Sequence, residues 1–349
     1  METHRIPQGA TEKMTALLRA VSDGRPQAVP ELVTALSVAE RRACFTELKA
    51  MRRRMREEPW RPGYPERHEA LWLAGAGCCT GAAAAAQWLA ARDLPVRLLE
   101  PALLLALFAD RSPEWIGDVA HRLAARPTVV EGQYDLVEAL VRRSGCAVPT
   151  NDAFVREWVS VTYVEAASNG RRLVDDLRDD AFLPVLLPRL FEVPDIGTVL
   201  DWSWMGEAPV SETWPGALAQ LAREKVLDRG MLLDGCLSRL LRGDRPSNVR
   251  GFLKLLTALE PTVEENAARV ITWIRLLPDA HSTVVTQAQQ VLTTLDEAGK
   301  LETEHLAEAS RAVLFRTEKK LVRTQLTLID KAIKKDRSRA GELLPAAAE

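Results

Sequence analysis

TVVTQAQQVLTTLDEAG, residues 283–299, spaces its apolar residues as they would lie on one face of an α-helix, and two other segments repeat that spacing. In each segment the apolar residues follow the i, i+4, i+7 pattern. The three sets align at offsets of 35 and then 38 residues, and they are Val249, Leu253 and Leu256; Val284, Ala288 and Val291; and Val322, Leu326 and Ile329. This regularity predicts a repeating helical unit.

A second predicted helix precedes each of these three segments. These helices run through 231–241, 265–277 and 304–314. Units of 35–38 residues made of two helices are typical of stacked helical repeats, and their length is closest to HEAT and armadillo repeats. The sequence therefore predicts an all-α fold with an α-α superhelix, or solenoid, of HEAT-like helix pairs. The alternative is an irregular helical bundle whose loops happen to be regular.

The N-terminal half is also predicted to be helical, but it is less regular. Its predicted helices cover residues 11–23, 26–36, 38–57, 66–78, 81–92, 98–110, 113–125, 132–144, 151–167 and 180–191. The segment LAGAGCCTGAAAAAQWLAA (73–91) is rich in small residues, which allow helices to approach closely. It lacks the GxxxxGK[ST] pattern of a phosphate-binding loop, so we interpret it as a packing segment.

Residues 192–216 interrupt the helical pattern with three prolines, three glycines and three tryptophans. We therefore expect a helical domain over 1–191, a connecting loop over 192–216 and a repeat domain over 217–349. Tryptophan is frequent at binding hot spots, so the loop is a candidate partner-binding surface. Its candidate residues are Trp202, Trp204, Met205 and Trp214. Alternatively, these rings fix the loop to neighbouring helices, with their indole N–H groups bonded to the backbone.

Two segments concentrate positive charge. The first contains Arg52, Arg53, Arg54 and Arg56. The second, residues 316–339, holds nine Lys/Arg against three Asp/Glu, and its candidate residues are Lys319, Lys320, Arg323, Lys331, Lys334 and Lys335. Such patches can neutralise nucleic-acid phosphates, although solvated helix surfaces are often charged as well.

Composition argues against several other classes of protein. The net charge is −2 and 47% of the 349 residues are hydrophobic, as in ordinary globular proteins. The five histidines are scattered, and neither a zinc-binding spacing nor a nucleophile motif is present. The sequence predicts no enzyme activity, no cofactor, no metal and no membrane span. Five cysteines without a CxxC pair, and an N-terminal segment without an apolar core, favour the reducing cytoplasm.

The segment 214–277 resembles an uncharacterised HEAT-like helical-repeat family of high-GC (actinobacterial) bacteria. The resemblance rests on Leu227-Asp228-Arg229, on Leu232-Leu233-Asp234 and on the turn Leu259-Glu260-Pro261-Thr262-Val263-Glu264-Glu265. It is strongest over 214–335. Members of that family are often longer, which suggests that the repeat domain continues beyond residue 349. Their genes tend to lie near MoxR-type ATPases and SWIM zinc-finger proteins.

The resemblance implies an adaptor within a multi-protein system. We therefore expect a non-catalytic scaffold whose partner is another protein, with a component of an AAA-type ATPase system as a candidate. The alternative is a HEAT-like DNA-binding protein or base-excision enzyme, with basic ridges on phosphates and a cleft containing Trp and Asp, for which Asp201 beside Trp202 is the candidate acid. Salt-dependent retention on DNA separates the two.

Overall fold

The computed structural model describes residues 10–57, 64–94, 100–201 and 209–348. Within these ranges the protein is all-α, with twenty-one α-helices and no strand, which confirms the predicted fold class. The contact pattern divides the chain into two units, Met1–Trp158 and Val159–Glu349. The division lies within one helix, and it falls before the predicted connecting loop at 192–216.

The described residues of the first unit form eight complete helices. They are α1 (Glu12–Ser22), α2 (Val29–Thr34), α3 (Val38–Glu57), α4 (Tyr64–Cys78), α5 (Ala82–Leu89), α6 (Pro101–Leu107), α7 (Pro113–Ala124) and α8 (Pro127–Ser144). Helix α9 (Asp152–Ser168) contains the division between the units.

In the second unit the residues that the structure describes form twelve more helices. They are α10 (Leu173–Asp179), α11 (Leu183–Leu186), α12 (Ile196–Asp201), α13 (Trp214–Arg223), α14 (Arg229–Leu241), α15 (Pro246–Leu259), α16 (Val263–Ala267), α17 (Val270–Arg275), α18 (Ser282–Glu297), α19 (Thr303–Leu314), α20 (Lys319–Lys335) and α21 (Ala340–Ala348).

Capping side chains mark the starts of several helices. Ser37 and Glu40 exchange hydrogen bonds before α3, and Thr262 and Glu265 form a capping box at α16. Ser112 accepts a backbone hydrogen bond at the start of α7. These interactions satisfy backbone N–H groups that have no partner inside the helix, and they set where the helices begin.

Helices α4 and α5 pack closely because small residues line their contact. A Cβ atom on Gly75 would lie 2.1 Å from the Trp88 ring, so only glycine fits there. The indole N–H of Trp88 donates to the Trp72 carbonyl at 3.0 Å, and that of Trp72 donates to the Leu89 carbonyl at 2.9 Å. The predicted role of 73–91 in helix packing is confirmed.

A chain of helix–helix contacts links α14 to α20 of the second unit. Helix α14 contacts α15 and α17, α17 contacts α18 and α19, and α18 contacts α20. Their buried faces share an offset of 36 residues. Val249, Phe252, Leu256 and Leu259 align with Val285, Ala288, Leu292 and Leu295, while Val285, Gln289 and Leu292 align with Leu321, Gln325 and Leu328.

This offset corrects the alignment made from the sequence. Leu326, predicted to lie on the buried face of α20, is 44% exposed. At the 36-residue offset it aligns with Gln290 and Lys254, which are also exposed. The predicted offset of 38 residues came from aligning apolar residues only. The buried face of α20 also includes a hydrogen-bonded glutamine, Gln325.

The prediction of a continuous irregular loop over 192–216 is wrong for residues 196–201, which form α12. This helix packs against α15 with direct backbone contact. A Cβ atom on Gly251 would lie 2.1 Å from the carbonyl oxygen of Gly197. The Asn248 side chain also accepts a hydrogen bond from the Thr198 N–H at 3.1 Å. Residues 196–201 therefore belong to the core of the second unit.

Candidate interaction surfaces

The predicted tryptophan surface divides into two parts. Trp202, Trp204 and Met205 lie outside the described residues. Trp214 is only 1% exposed, and its indole N–H donates to the Val159 carbonyl at 3.0 Å. Trp214 is therefore a core residue at the start of α13, and its prediction as a partner-binding side chain is corrected. Burial of the large Trp214 ring removes much apolar surface from water, and the loop-like sequence around it did not indicate this.

Asp201 was the acidic residue of the alternative Trp/Asp cleft. It ends α12 and is 8% exposed. Its carboxylate forms ion pairs with Lys254 and, at 3.5 Å, with Arg250, both from α15. These contacts hold Asp201 against α15, beside the backbone contact between the two helices.

The first basic segment is largely engaged within its own unit. Arg52 donates from Nε to Asp93 at 2.9 Å, and its guanidinium lies 4.8 Å from the Trp88 ring centroid. Arg56 adds a longer ion pair of 3.7 Å to the same carboxylate. The hydrogen bond from Arg52 is the main reason that the pKa of Asp93 is lowered. Arg53 and Arg54 point to solvent, and Arg54 also bonds the Ala50 carbonyl.

The cations of the second basic segment also differ in the interactions that they make. Lys331 and Lys334 form ion pairs with Glu297 and Asp330 at 4.0 and 2.7 Å. Lys335 donates to two carbonyls at the C-terminal end of α18, where a cation also complements the helix dipole. The first turns of α20 differ, because three exposed cations have no ion-pair partner in the described part of the chain. These are Lys319, Lys320 and Arg323.

An open groove of about 760 Å³ lies where α13 ends, α14 begins and α15 ends. We call it the 225 groove. Its lining residues are Ala222, Arg223, Lys225, Val226, Leu227, Asp228, Arg229, Leu259 and Glu260. Two of its segments, Leu227-Asp228-Arg229 and Leu259-Glu260, are among those that carry the family resemblance. The groove itself depends on bringing together residues more than thirty positions apart.

A network of charged groups holds one wall of the 225 groove in place. Arg229 donates to both carboxylate oxygens of Glu265, at 2.6 and 2.9 Å, and to the Glu260 carbonyl at 3.1 Å. The bidentate contact raises the pKa of Arg229 and lowers that of Glu265. Glu265 also accepts from the Thr262 N–H at 2.8 Å. Two consecutive helix pairs are thereby joined beside the groove.

The cysteines behave as small core residues. All five are free, and four of them are buried: Cys44, Cys78 and Cys79 in the first unit, and Cys236 in the second. The hydrogen bond that the Cys78 S–H donates to Cys44, together with burial, raises the pKa of Cys78, and burial raises that of Cys79 to about 12. A thiol with a raised pKa is a poor nucleophile at neutral pH.

A metal site needs several ligand side chains close together, and a membrane span needs a long apolar helix. In the described ranges no three His, Cys, Asp or Glu side chains are placed so that they could hold a metal ion. Among the helices bounded above, none is both long and apolar enough to cross a bilayer.

Comparison with known proteins places the chain in a family. No curated protein and no solved structure matches it significantly. The model of a domain of unknown function, DUF6493, matches residues 6–321. This match extends well before the segment 214–335, where the sequence resemblance is strongest, and so it includes the irregular N-terminal half. The chain therefore belongs to the DUF6493 family.

Proposed function

We propose that this protein is a non-catalytic scaffold that binds other proteins through a HEAT-like α-solenoid. The observation that carries the proposal is the common 36-residue offset of the buried faces of α15, α18 and α20. Helices stacked in this way bury one face on their neighbours and leave an extended surface for a partner.

The contacts between consecutive helix pairs support stacking. Arg229 reaches Glu265, 36 residues later, and Arg269 reaches Asp234, 35 residues earlier, at 2.6 Å. Arg316 donates to the carbonyls of Leu277 and Pro278 at 2.9 and 2.6 Å. Each of these bonds joins one helix pair to the next, as expected for nearest-neighbour repeats.

Small-angle X-ray scattering tests the solenoid part of the proposal. A stacked array predicts a radius of gyration above the value of about 20 Å that a compact chain of this length would have. A compact value would favour the irregular helical bundle and contradict the solenoid.

The partner class follows from the sequence resemblance. It implies a cytoplasmic system that contains a MoxR-type ATPase, so the natural test is co-purification with such an ATPase from the source organism. Comigration in size-exclusion chromatography at both 50 and 500 mM salt supports the scaffold. If purified ATPase and purified chain elute separately under both conditions, this partner is wrong.

A second function, binding of duplex DNA, is favoured by Lys319, Lys320 and Arg323, three exposed cations of α20 that form no ion pair with any residue the structure describes. If these residues contact phosphates, affinity for a labelled 20-base-pair duplex falls steeply between 50 and 200 mM salt. Reversing the three charges abolishes binding, whereas Lys334→Glu, at a position already paired with Asp330, has a much smaller effect. Binding that the triple variant retains would exclude this surface.

A further inference from the structure

One wall of the 225 groove is built on an unusual helix end. Helices α1, α9, α13 and α18 all end with the same pair of backbone hydrogen bonds, in which the N–H groups of two successive residues return to carbonyls three and five positions earlier. The residue in the left-handed conformation is Gly24, Gly170 and Gly299 in three of them. In α13 it is Lys225, with φ of 61°.

The opposite wall also contains a non-glycine residue in the left-handed conformation. Glu260, after the last residue of α15, has φ of 49°. In the described part of the chain three non-glycine residues have positive φ, and Lys225 and Glu260, two of the three, line this groove. Left-handed backbone disfavours residues that carry a Cβ, and such strain tends to persist where the side chain has a use.

The floor of the groove offers apolar surface. Val226, next to Lys225, is 49% exposed, and Leu227 is half-buried beside it. Leu259 closes the floor from α15 and is itself buried. A single apolar side chain from a partner could cover Val226 and leave the partner's backbone at the rim.

The charges of the groove separate into engaged and available groups. Arg229 is neutralised by Glu265, and Asp228 caps α14 by accepting from the Met231 N–H at 3.0 Å. Lys225 is exposed and has no ion-pair partner in the described ranges. Arg223 is exposed as well, and its bond is to the carbonyl of Ala258, at 3.4 Å. Two exposed cations, Lys225 and Arg223, therefore stand beside Val226, and the carboxylates of the groove outside the Arg229–Glu265 pair are Glu260 and the helix cap Asp228.

We propose that the 225 groove is the docking site of this scaffold for a peptide segment of a partner protein, in which a large apolar side chain stands next to Asp or Glu. The apolar side chain covers Val226 and the carboxylate pairs with Lys225 and Arg223. This inference rests on the proposed scaffold function and names the partner chemistry and the site.

Selection from a phage library of random twelve-residue peptides tests the proposal. Immobilised wild-type protein enriches peptides that place Asp or Glu next to Leu, Ile, Val or Phe. Lys225→Gly removes the ammonium group while keeping the backbone conformation, and it lowers the affinity for the selected peptides at least tenfold. Asp195→Gly is the matched control, because Asp195 is the third non-glycine residue with positive φ and lies outside the groove. It leaves the affinity unchanged.

Three results would overturn the docking site. They are the absence of acidic–apolar enrichment, enrichment that Lys225→Gly retains, and self-association of the chain that Lys225→Gly abolishes. The last would assign the groove to a second copy. If Lys225→Gly still captures the native partner, the scaffold stands and only this site is wrong. If wild-type protein captures no partner at all, the scaffold itself fails.

Discussion

The contact between α4 and α5 in the first unit and the contacts among α14 to α20 in the second are both well buried, but they are built differently. The first depends on a glycine that admits a tryptophan ring, and on two indole N–H groups bonded to backbone carbonyls. The second depends on aliphatic side chains at a constant offset, joined by arginine and glutamine hydrogen bonds.

The difference explains why only one region shows a repeat. Large side chains at a fixed spacing leave a periodic pattern, because each must face its neighbour in the stack. A contact based on Gly75 leaves no such pattern, since the requirement there is for missing volume. Regularity in a sequence therefore reports how a core is built, and its absence in the first unit does not indicate weaker packing.

The largest expected effect is at Gly75. The Cβ of Gly75→Ala would displace the Trp88 ring and break its hydrogen bond to Trp72, so unfolding in urea should show a loss of about 3 kcal/mol. Gly132→Ala in α8 is the control, because nothing lies within 4 Å of its added Cβ. A loss below 1 kcal/mol at Gly75 would show that the ring moves freely, and would contradict the close contact.

The second effect tests the buried polar contacts among α18, α19 and α20. Gln289 of α18 donates to Gln325 of α20 at 3.1 Å, and Gln325 donates to Ser310 at 3.0 Å, with all three side chains buried. Gln325→Leu removes partners from both neighbours and should cost about 2 kcal/mol.

The double variant Gln289→Leu/Gln325→Leu should lose less than the sum of its single variants, because it removes both members of one bond. The exposed Gln290→Leu serves as the control. Additive losses in the urea unfolding of the four proteins would show that the two amides are not coupled.

The third effect concerns the ion pair beside the groove. Both partners are about a quarter exposed, so solvent screens the pair, and the coupling between Arg229→Ala and Glu265→Gln should be about 1 kcal/mol. Because Arg229 lowers the pKa of Glu265, this stability is present above the ordinary value of 4.5. It is lost as the pH falls through the lower value of the folded protein.

Thermal unfolding between pH 7 and pH 3 checks this dependence. The difference between wild type and Arg229→Ala should shrink at the acidic end. Arg122→Ala, which removes an exposed pair with Asp118, is the control and should change stability by less than about 0.5 kcal/mol. A difference that stays constant down to pH 3 would rule out Glu265 as the titrating partner.

The smallest effect compares helix ends. Lys225→Gly relieves the left-handed backbone but makes the unfolded chain more flexible, so the net gain should be about 0.5 kcal/mol. Gly299→Lys, where no atom lies within 4 Å of an added Cβ, should lose a similar amount. A loss of stability in Lys225→Gly would mean that the lysine side chain stabilises the fold, and would weaken the argument that it is kept for binding.

Some features of the site were predictable, and others were not. The exposed cations of α20 followed from the charge of residues 316–339, because a helix with one apolar face must place its lysines on the other. The burial of Trp214, with its indole N–H bonded to the backbone, was one of the two interpretations of the loop, but its acceptor, 55 residues away, could not be named. The 225 groove was missed for a similar reason. A lysine at a helix end carries no mark of a left-handed backbone, and its facing residue lies on another helix.

The sequence by itself determined that this is an all-α protein, where several of its helices begin, and that apolar residues recur at similar spacings in its second half. These properties depend on neighbours within about four residues and on the spacing of apolar side chains along one helix. Tertiary structure alone decided the common offset of 36 residues, the backbone contact of α12 with α15, and the groove around Lys225. Each of these depends on how segments distant in the sequence pack against one another, and local conformational preferences do not set that packing.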